Sequence, residues 1–218
     1  MHLGYMEWTH RRGGTAATLI IAAALMAPRV GLAQTVDLGA RAGFYSPIGS
    51  LIEGPPIQKR LQGAVLGGLD AVVWMSGRVG FAAGVAYTPS RVAVIQPGNV
   101  TDRDASVILA SARVLFALTP LGNGAATDPP WSIYVGAGPG LAHRSGGVWA
   151  YQSGATSPAL VLNAGVETLS GPRVVMRLDF EDSISRAQFD AGAPGETAAQ
   201  THHDLAFSIS LSYRVHRR

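Results

Sequence analysis

The sequence predicts an all-β protein, an eight-stranded antiparallel up-and-down transmembrane β-barrel that follows a cleaved signal peptide. Three observations predict this fold. Beyond residue 33, apolar side chains recur at every second position, which is the period of a β-strand. Eight segments show this alternation, and an even number of antiparallel strands suits a membrane barrel. The intervening positions hold mostly Gly, Ala and Ser, which fit a crowded interior better than a hydrated surface.

The first 33 residues predict an export signal. Adjacent arginines precede an apolar run at 16–27 that is too short to cross a bilayer as a helix. Small residues at Gly31 and Ala33 then form a cleavage site. We therefore expect 1–33 to be a signal peptide and 34–218 to form the barrel domain.

The predicted strands are longer than those of most soluble proteins, and each is long enough to cross a membrane at a tilt, which takes about 9 to 11 residues. They cover residues 35–45, 61–74, 79–89, 105–117, 131–144, 158–169, 173–185 and 203–215.

Each strand separates into an apolar face without charge and a face that carries the charged residues. In the last strand, Leu205, Phe207 and Ile209 alternate with Ala206 and Ser208. The charged face supplies a predicted set of lumen residues: Asp37, Arg41, Asp70, Arg113, Arg144, Glu167, Arg177, Asp179, Glu181 and Arg214. These charges could line a proton or ion path, or form a structural network. We favour a closed, salt-bridged lumen because five acids match five arginines and an unpaired buried ion costs several kcal/mol.

The connections support a barrel in an outer membrane, where one end has long loops and the other has short turns. The predicted outer loops are 46–60, 90–104, 145–157 and 186–202, and an unknown extracellular ligand could bind them. The predicted periplasmic connections are 75–78, 118–130 and 170–172, of which the second is unusually long. Aromatic residues near both rims predict interfacial girdles. They are Phe44, Trp74, Phe81, Tyr87, Phe116, Trp131 and Tyr213.

The chain resembles the small eight-stranded outer-membrane β-barrels, the superfamily of the OmpA transmembrane domain and OmpX. The resemblance covers 34–218 and includes the glycine-rich aromatic strand Trp131–Gly140. It implies a Gram-negative outer membrane, contact with lipid and lipopolysaccharide, and recognition by the barrel-assembly machinery. Family members usually end in an aromatic residue, whereas here Tyr213 is followed by a basic end at 216–218.

An enzymatic alternative comes from His143 and Ser145. Some eight-stranded outer-membrane barrels are lipid A deacylases that place a His and a Ser two positions apart on the lipid-facing side of a strand, and this pair has that spacing. However, residues 145–166 contain no Asp or Glu to orient the histidine. We therefore expect no enzyme activity. We interpret the second cluster, His202 to Asp204, as polar residues of the rim.

Composition excludes several other classes. The chain has no cysteine, so disulfides and thiol chemistry are excluded. The formal net charge of +3 falls to +1 beyond residue 33, because the predicted signal peptide holds three arginines and one acid, and this balance argues against nucleic-acid binding. The histidines lack the spacing of a metal site, and we expect no cofactor.

The sequence thus predicts a monomeric outer-membrane barrel with a non-catalytic role, either in envelope integrity or in adhesion through its outer loops. A third class remains open, a soluble lipocalin-like periplasmic carrier of a small ligand. That alternative requires the opposite arrangement, with the apolar face lining a cavity and the charged face in water.

Overall fold

A computed structural model describes residues 35–51, 58–119, 131–147, 149, 155–187 and 200–216. The predicted signal peptide lies outside these residues. The described strands are β1 (Thr35–Ile48), β2 (Gln58–Leu61), β3 (Ala64–Trp74), β4 (Val79–Gln96), β5 (Asn99–Ala117), β6 (Trp131–Ser145), β7 (Thr156–Leu169), β8 (Val174–Ala187) and β9 (Gln200–His216). Among the described residues, no helix is long and apolar enough to cross a membrane.

Eight of these strands close into an antiparallel ring. Each strand pairs with its neighbours in the order β4, β3, β1, β9, β8, β7, β6 and β5, and β5 returns to β4. The first and last strands join from Thr35, opposite His216, to Ile48, opposite His203. The short β2 lies outside the ring and pairs with the outer part of β4. Closure satisfies the backbone hydrogen bonds at every edge within the ring, as a bilayer demands.

Burial alternates along the strands with the predicted period of two. In β9 the side chains of Phe207, Ile209 and Leu211 are more than half exposed, while Ser208 and Ser210 are buried. The same contrast recurs around the ring, which confirms the predicted fold class. The exterior is thus a band of exposed apolar side chains, here called the lipid belt, running on β9 from Phe207 to Val215. Such an exterior is stable only against lipid.

The interior has three levels. At the outer end, an apolar cluster includes Tyr45, Leu66, Val107 and Trp149. At the opposite end, a smaller apolar cluster is built around Trp74. The charged residues fill the space between and around these clusters. This arrangement contradicts the soluble-carrier alternative, because charges line the interior and apolar side chains cover the outside.

The outer end differs from the prediction in one respect. The segment 90–104 is not a loop, because β4 and β5 stay paired up to Gln96 and Asn99. A tight turn joins them, in which Gly98 adopts a φ of +79°. The predicted loop at 46–60 also contributes β2, which adds a third strand to this hairpin. A small sheet therefore continues from one side of the barrel mouth.

The opposite end carries short turns. Residues 75–78 join β3 to β4, and residues 170–173 join β7 to β8. Both described chain ends also lie here, since Thr35 pairs with His216. In outer-membrane barrels the short turns face the periplasm, so this end is called the periplasmic end below.

Candidate functional site in the charged lumen

The lumen near the periplasmic end contains two acids and two arginines from four strands. Asp37 of β1 accepts hydrogen bonds from Arg214 of β9, with 2.8 Å between Oδ1 and Nε, and it also pairs with Arg177 of β8. Glu167 of β7 accepts from the Nε of Arg177 at 3.0 Å. These side chains are at most 7% exposed. The cluster is therefore a buried network in which each acid contacts both arginines.

A second cluster lies at mid-height on Glu181 of β8. Its Oε1 accepts from the Nη1 of Arg41 at 2.7 Å and also from Arg113. These two arginines come from β1 and β5, on different sides of β8 in the ring. The contacts thus cross the lumen and occupy its centre.

Two further acids at this level have weaker charge partners. Asp179 accepts hydrogen bonds from the Tyr134 hydroxyl and the Asn163 amide, each at 2.8 Å. Asp70 has one ion-pair contact among the described residues, from its Oδ2 to the Nη1 of Arg177 at 3.8 Å. A cavity bounded partly by these acids has room for about one water molecule. The centre of the lumen is therefore close to filled.

The outermost pair joins Arg144 of β6 to Asp204 of β9. The Arg144 Nη2 lies 2.5 Å from the Asp204 Oδ2, and the Tyr45 hydroxyl donates to the Asp204 Oδ1 at 2.5 Å. The position of Asp204 contradicts the interpretation of 202–204 as rim residues, since Asp204 is only 2% exposed. His202 is also buried, whereas His203 faces outward and contacts Asp182 at 2.9 Å.

All ten charged residues predicted for the lumen lie on its inner face. Sequence reasoning missed Asp204, Tyr45, Tyr134 and Asn163, which the structure adds to the same networks. The described lumen consequently holds six acids and five arginines. The signal that could have found Asp204 is its position in the alternation, which it shares with Ser208 and Arg214.

No protein-family model matches this sequence, and no curated protein sequence matches it. Among solved structures, OprG from Pseudomonas aeruginosa aligns with a TM-score of 0.56 at 12% identity, over 85% of this chain and 96% of OprG. Neisserial surface protein A aligns with a TM-score of 0.48 at 13% identity, over 83% of this chain and 96% of that protein. E. coli outer membrane protein W aligns with a TM-score of 0.45 at 16% identity, over 86% of this chain and 100% of that protein. The OprG alignment decides the fold.

The chain has the fold of the small outer-membrane β-barrels. A closed barrel of this fold with an apolar exterior belongs in the Gram-negative outer membrane. The identities are low, so the likeness concerns the backbone architecture and not the residues of the lumen.

The lipid belt of this outer-membrane barrel carries aromatic side chains near both ends. Those exposed on the outer face are Phe44, Phe81, Tyr87, Phe116, Trp131 and Tyr213. The prediction was wrong for Trp74, which is 3% exposed and points into the lumen. Its ring stands edge-on to Tyr134, with 6.2 Å between the ring centroids. Trp74 shares the inward phase of Asp70, four residues earlier on β3, so it fills the barrel instead of meeting lipid.

His143 lies on the outer face of this barrel near the end of β6, as the deacylase hypothesis requires. However, its Nδ1 is 2.7 Å from the Thr156 hydroxyl, and the Ser145 hydroxyl is 2.7 Å from that of Ser106. Neither bond joins the two residues, and no described carboxylate forms an ion pair with His143. The arrangement of a base that activates a serine is therefore not present between them.

Within the described part of the barrel, no group of three or more His, Asp or Glu side chains is placed to hold a metal ion. The lumen acids instead contact arginines and hydroxyl or amide donors. Together they form a network of buried ion pairs and hydrogen bonds.

Proposed function

We propose that this protein is a closed, non-catalytic outer-membrane barrel that holds its outer hairpin at the cell surface for adhesion. The observation that carries the proposal is the filling of the lumen at every level. Trp74 and its neighbours pack at the periplasmic end, Glu181 joins two arginines across the middle, and Tyr45 contacts Asp204 towards the outer end. These contacts support a lumen without a continuous water-filled pathway.

Planar-bilayer recording of the purified full chain tests the closed lumen. We expect no large, stable conductance steps, and a sixteen-stranded porin inserted into the same bilayer serves as the positive control. Stable steps from the monomer would contradict the proposal.

The outer hairpin supports the adhesive part of the proposal. From Gln96 to Arg103 the hairpin side chains are exposed and mostly polar, and Val100 near the tip is 64% exposed. Paired strands present such residues on a firm backbone, with less ordering cost on binding than a flexible loop. This hairpin is accordingly the part of the barrel best suited to contact another surface.

The hairpin, with the part of β4 that pairs with β2, can be removed while the β4–β5 register of the ring is kept. Because Val92 pairs with Arg103, residues 93–102 can be replaced by Asn-Gly, which forms a two-residue turn. We expect cells carrying this shortened protein to attach to polystyrene and to fibronectin-coated wells as poorly as cells that lack it. If cells with the shortened protein attach as well as cells with the full-length protein, the adhesive role of the hairpin is refuted.

Envelope integrity is the other non-catalytic role that such a barrel could serve. Detergent sensitivity of the same strains separates the two, because the shortened protein keeps its complete ring. Sensitivity that appears only when the whole protein is absent would indicate the envelope role.

We also propose that residues 1–33 direct export, that the barrel-assembly machinery inserts the protein, and that it acts as a monomer in contact with lipopolysaccharide. N-terminal sequencing of the protein from outer membranes is expected to begin at Gln34. The sequence pattern supports this cleavage site, and a start at another residue would revise it.

A further inference from the structure

The two short turns at the periplasmic end share a sequence pattern and a backbone position. Residues 75–78 read Met-Ser-Gly-Arg and residues 169–173 read Leu-Ser-Gly-Pro-Arg. Each arginine directly precedes a strand, Arg78 before β4 and Arg173 before β8. Each arginine carbonyl also accepts a hydrogen bond from the neighbouring strand, from the amide of Ala117 at 2.8 Å and of Arg214 at 2.7 Å. The fold thus places two arginines equivalently.

Each arginine also stands beside a lipid-facing aromatic residue. The strand residue after Arg173 pairs with Tyr213, and the strand residue after Arg78 pairs with Phe116. At the 170–173 turn the contact is direct, because the Arg173 Nη1 donates to the Tyr213 hydroxyl at 2.6 Å and its guanidinium carbon lies 5.9 Å from the ring centroid. Both aromatic side chains belong to the lipid belt.

Both arginine side chains are exposed, and neither guanidinium forms an ion pair with an acid among the described residues. At the outer end, by contrast, the exposed Arg91 has Asp104 at 3.8 Å. The described residues of the two periplasmic turns include no acid at all. The described part of this rim is therefore positive at the height where the apolar belt ends.

We propose that Arg78 and Arg173 each bind the phosphate of an anionic phospholipid in the inner leaflet of the outer membrane. A guanidinium forms paired, charge-assisted hydrogen bonds with phosphate oxygens. Because the Tyr213 oxygen accepts from Arg173, its own hydroxyl proton can be donated to the same phosphate. The neighbouring aromatic side chains lie against the upper acyl chains, as aromatic residues do at membrane interfaces.

The surroundings favour an anionic headgroup over a zwitterionic one. A choline or ethanolamine group would bring a second positive charge next to each arginine, and no described acid lies there to receive it. A glycerol headgroup adds no such charge. We therefore expect phosphatidylglycerol to bind more tightly than phosphatidylcholine.

Native mass spectrometry of the purified full chain, titrated with dioleoyl phosphatidylglycerol or dioleoyl phosphatidylcholine, tests the proposal. Replacement of Arg78 and Arg173 by Gln is expected to weaken phosphatidylglycerol binding about fivefold at each site, since one arginine near an anionic surface contributes about that factor. The charge-matched control replaces Arg60 and Arg91, which are exposed at the outer end, and is expected to keep wild-type binding.

Three results would overturn the proposal: equal binding of both lipids by the wild type, no change in the Arg78→Gln, Arg173→Gln protein, or the same loss in the outer-end control. The Arg78→Lys, Arg173→Lys protein keeps the charge and is expected to retain most of the preference. If the Gln variant does not refold, the Lys variant is the folded protein that is tested. Equal binding of phosphatidylglycerol and phosphatidylcholine by the Lys variant would then overturn the proposal.

Discussion

Arg144 and Asp204 form an ion pair inside the outer third of the barrel, with their nearest atoms 2.5 Å apart and both side chains at most 2% exposed. The pair joins β6 to β9, which are not neighbours in the ring. It therefore acts as a strut across the lumen. The Tyr45 hydroxyl, on the other side of β9, holds the same carboxylate from β1.

The strut predicts strong coupling between its two residues. Asp204→Asn alone removes the carboxylate that pairs with Arg144. Arg144→Gln alone removes the guanidinium that pairs with Asp204. Each change is expected to lower the free energy of unfolding by about 3–5 kcal/mol, whereas the double variant loses less than the sum. Urea unfolding in lipid vesicles, followed by tryptophan fluorescence, measures this cycle. Additive losses would mean that the two side chains act independently.

The central cluster predicts that the lumen acids differ in importance. Glu181→Gln removes a charge that contacts Arg41 and Arg113, so a loss of about 3–5 kcal/mol is expected. Asp70→Asn is the matched control, because its one ion-pair contact among the described residues is 3.8 Å long, beyond hydrogen-bond distance, and its loss should be clearly smaller than that of Glu181→Gln. The same urea titration reports both, and equal losses would argue against this ranking.

Trp74 and Trp131 are predicted to report different environments. Trp74 is buried in the lumen, while Trp131 is 47% exposed on the lipid belt. In proteins whose single tryptophan is either Trp74 or Trp131, brominated lipid should quench the fluorescence of Trp131 strongly and that of Trp74 weakly. Trp74→Ala should also cost about 3–5 kcal/mol of stability through the cavity it leaves, against less for Trp131→Ala. Strong quenching of Trp74 would show that its side chain faces lipid and belongs to the aromatic girdle.

Gly138 is predicted to be required for the approach of β6 to β5. A Cβ at this position would overlap the carbonyl oxygen of Ala112, and the strand pairing is interrupted here beside Pro139, which has no backbone N–H. Gly138→Ala should reduce the fraction of protein that shifts on SDS gels when heated. Gly67→Ala on β3 is the control, since its Cβ would meet no described atom within 4 Å. A normal shift for Gly138→Ala would show that the strands can separate.

Much of this architecture could be predicted because the alternation directly encodes the two faces of each strand. It identified the ring strands and the side on which charges such as Asp37 and Arg214 lie. Trp74 was misplaced because a general preference of aromatics for interfaces was given more weight than its own phase on β3. Asp204 was missed for a similar reason, since its histidine neighbours suggested a loop although its phase pointed inward.

The outer hairpin could not be predicted from the same signal. Above the lipid belt the outer face of β4 and β5 carries exposed charges such as Arg91 and Asp104, and near the tip both faces are exposed. The apolar alternation therefore stops although the backbone pairing continues to Gln96 and Asn99. Pro97 and Gly98 then resemble the residues of a long loop. The partners within the lumen were equally hidden, because they depend on which strands face each other across the ring.

The ion pairs of the lumen also determine when the barrel can become stable. Asp37 and Arg214 are 177 residues apart in the chain, and Arg41 and Glu181 are 140 apart. Contacts of such long sequence separation form late and slowly. Until β9 docks against β1, Asp204 of β9 is not in place beside Arg144, and Arg41 of β1 is not held beside Glu181 of β8. Ring closure therefore completes the charge pairing of the lumen, and a barrel missing its last strand would leave buried charges unmatched.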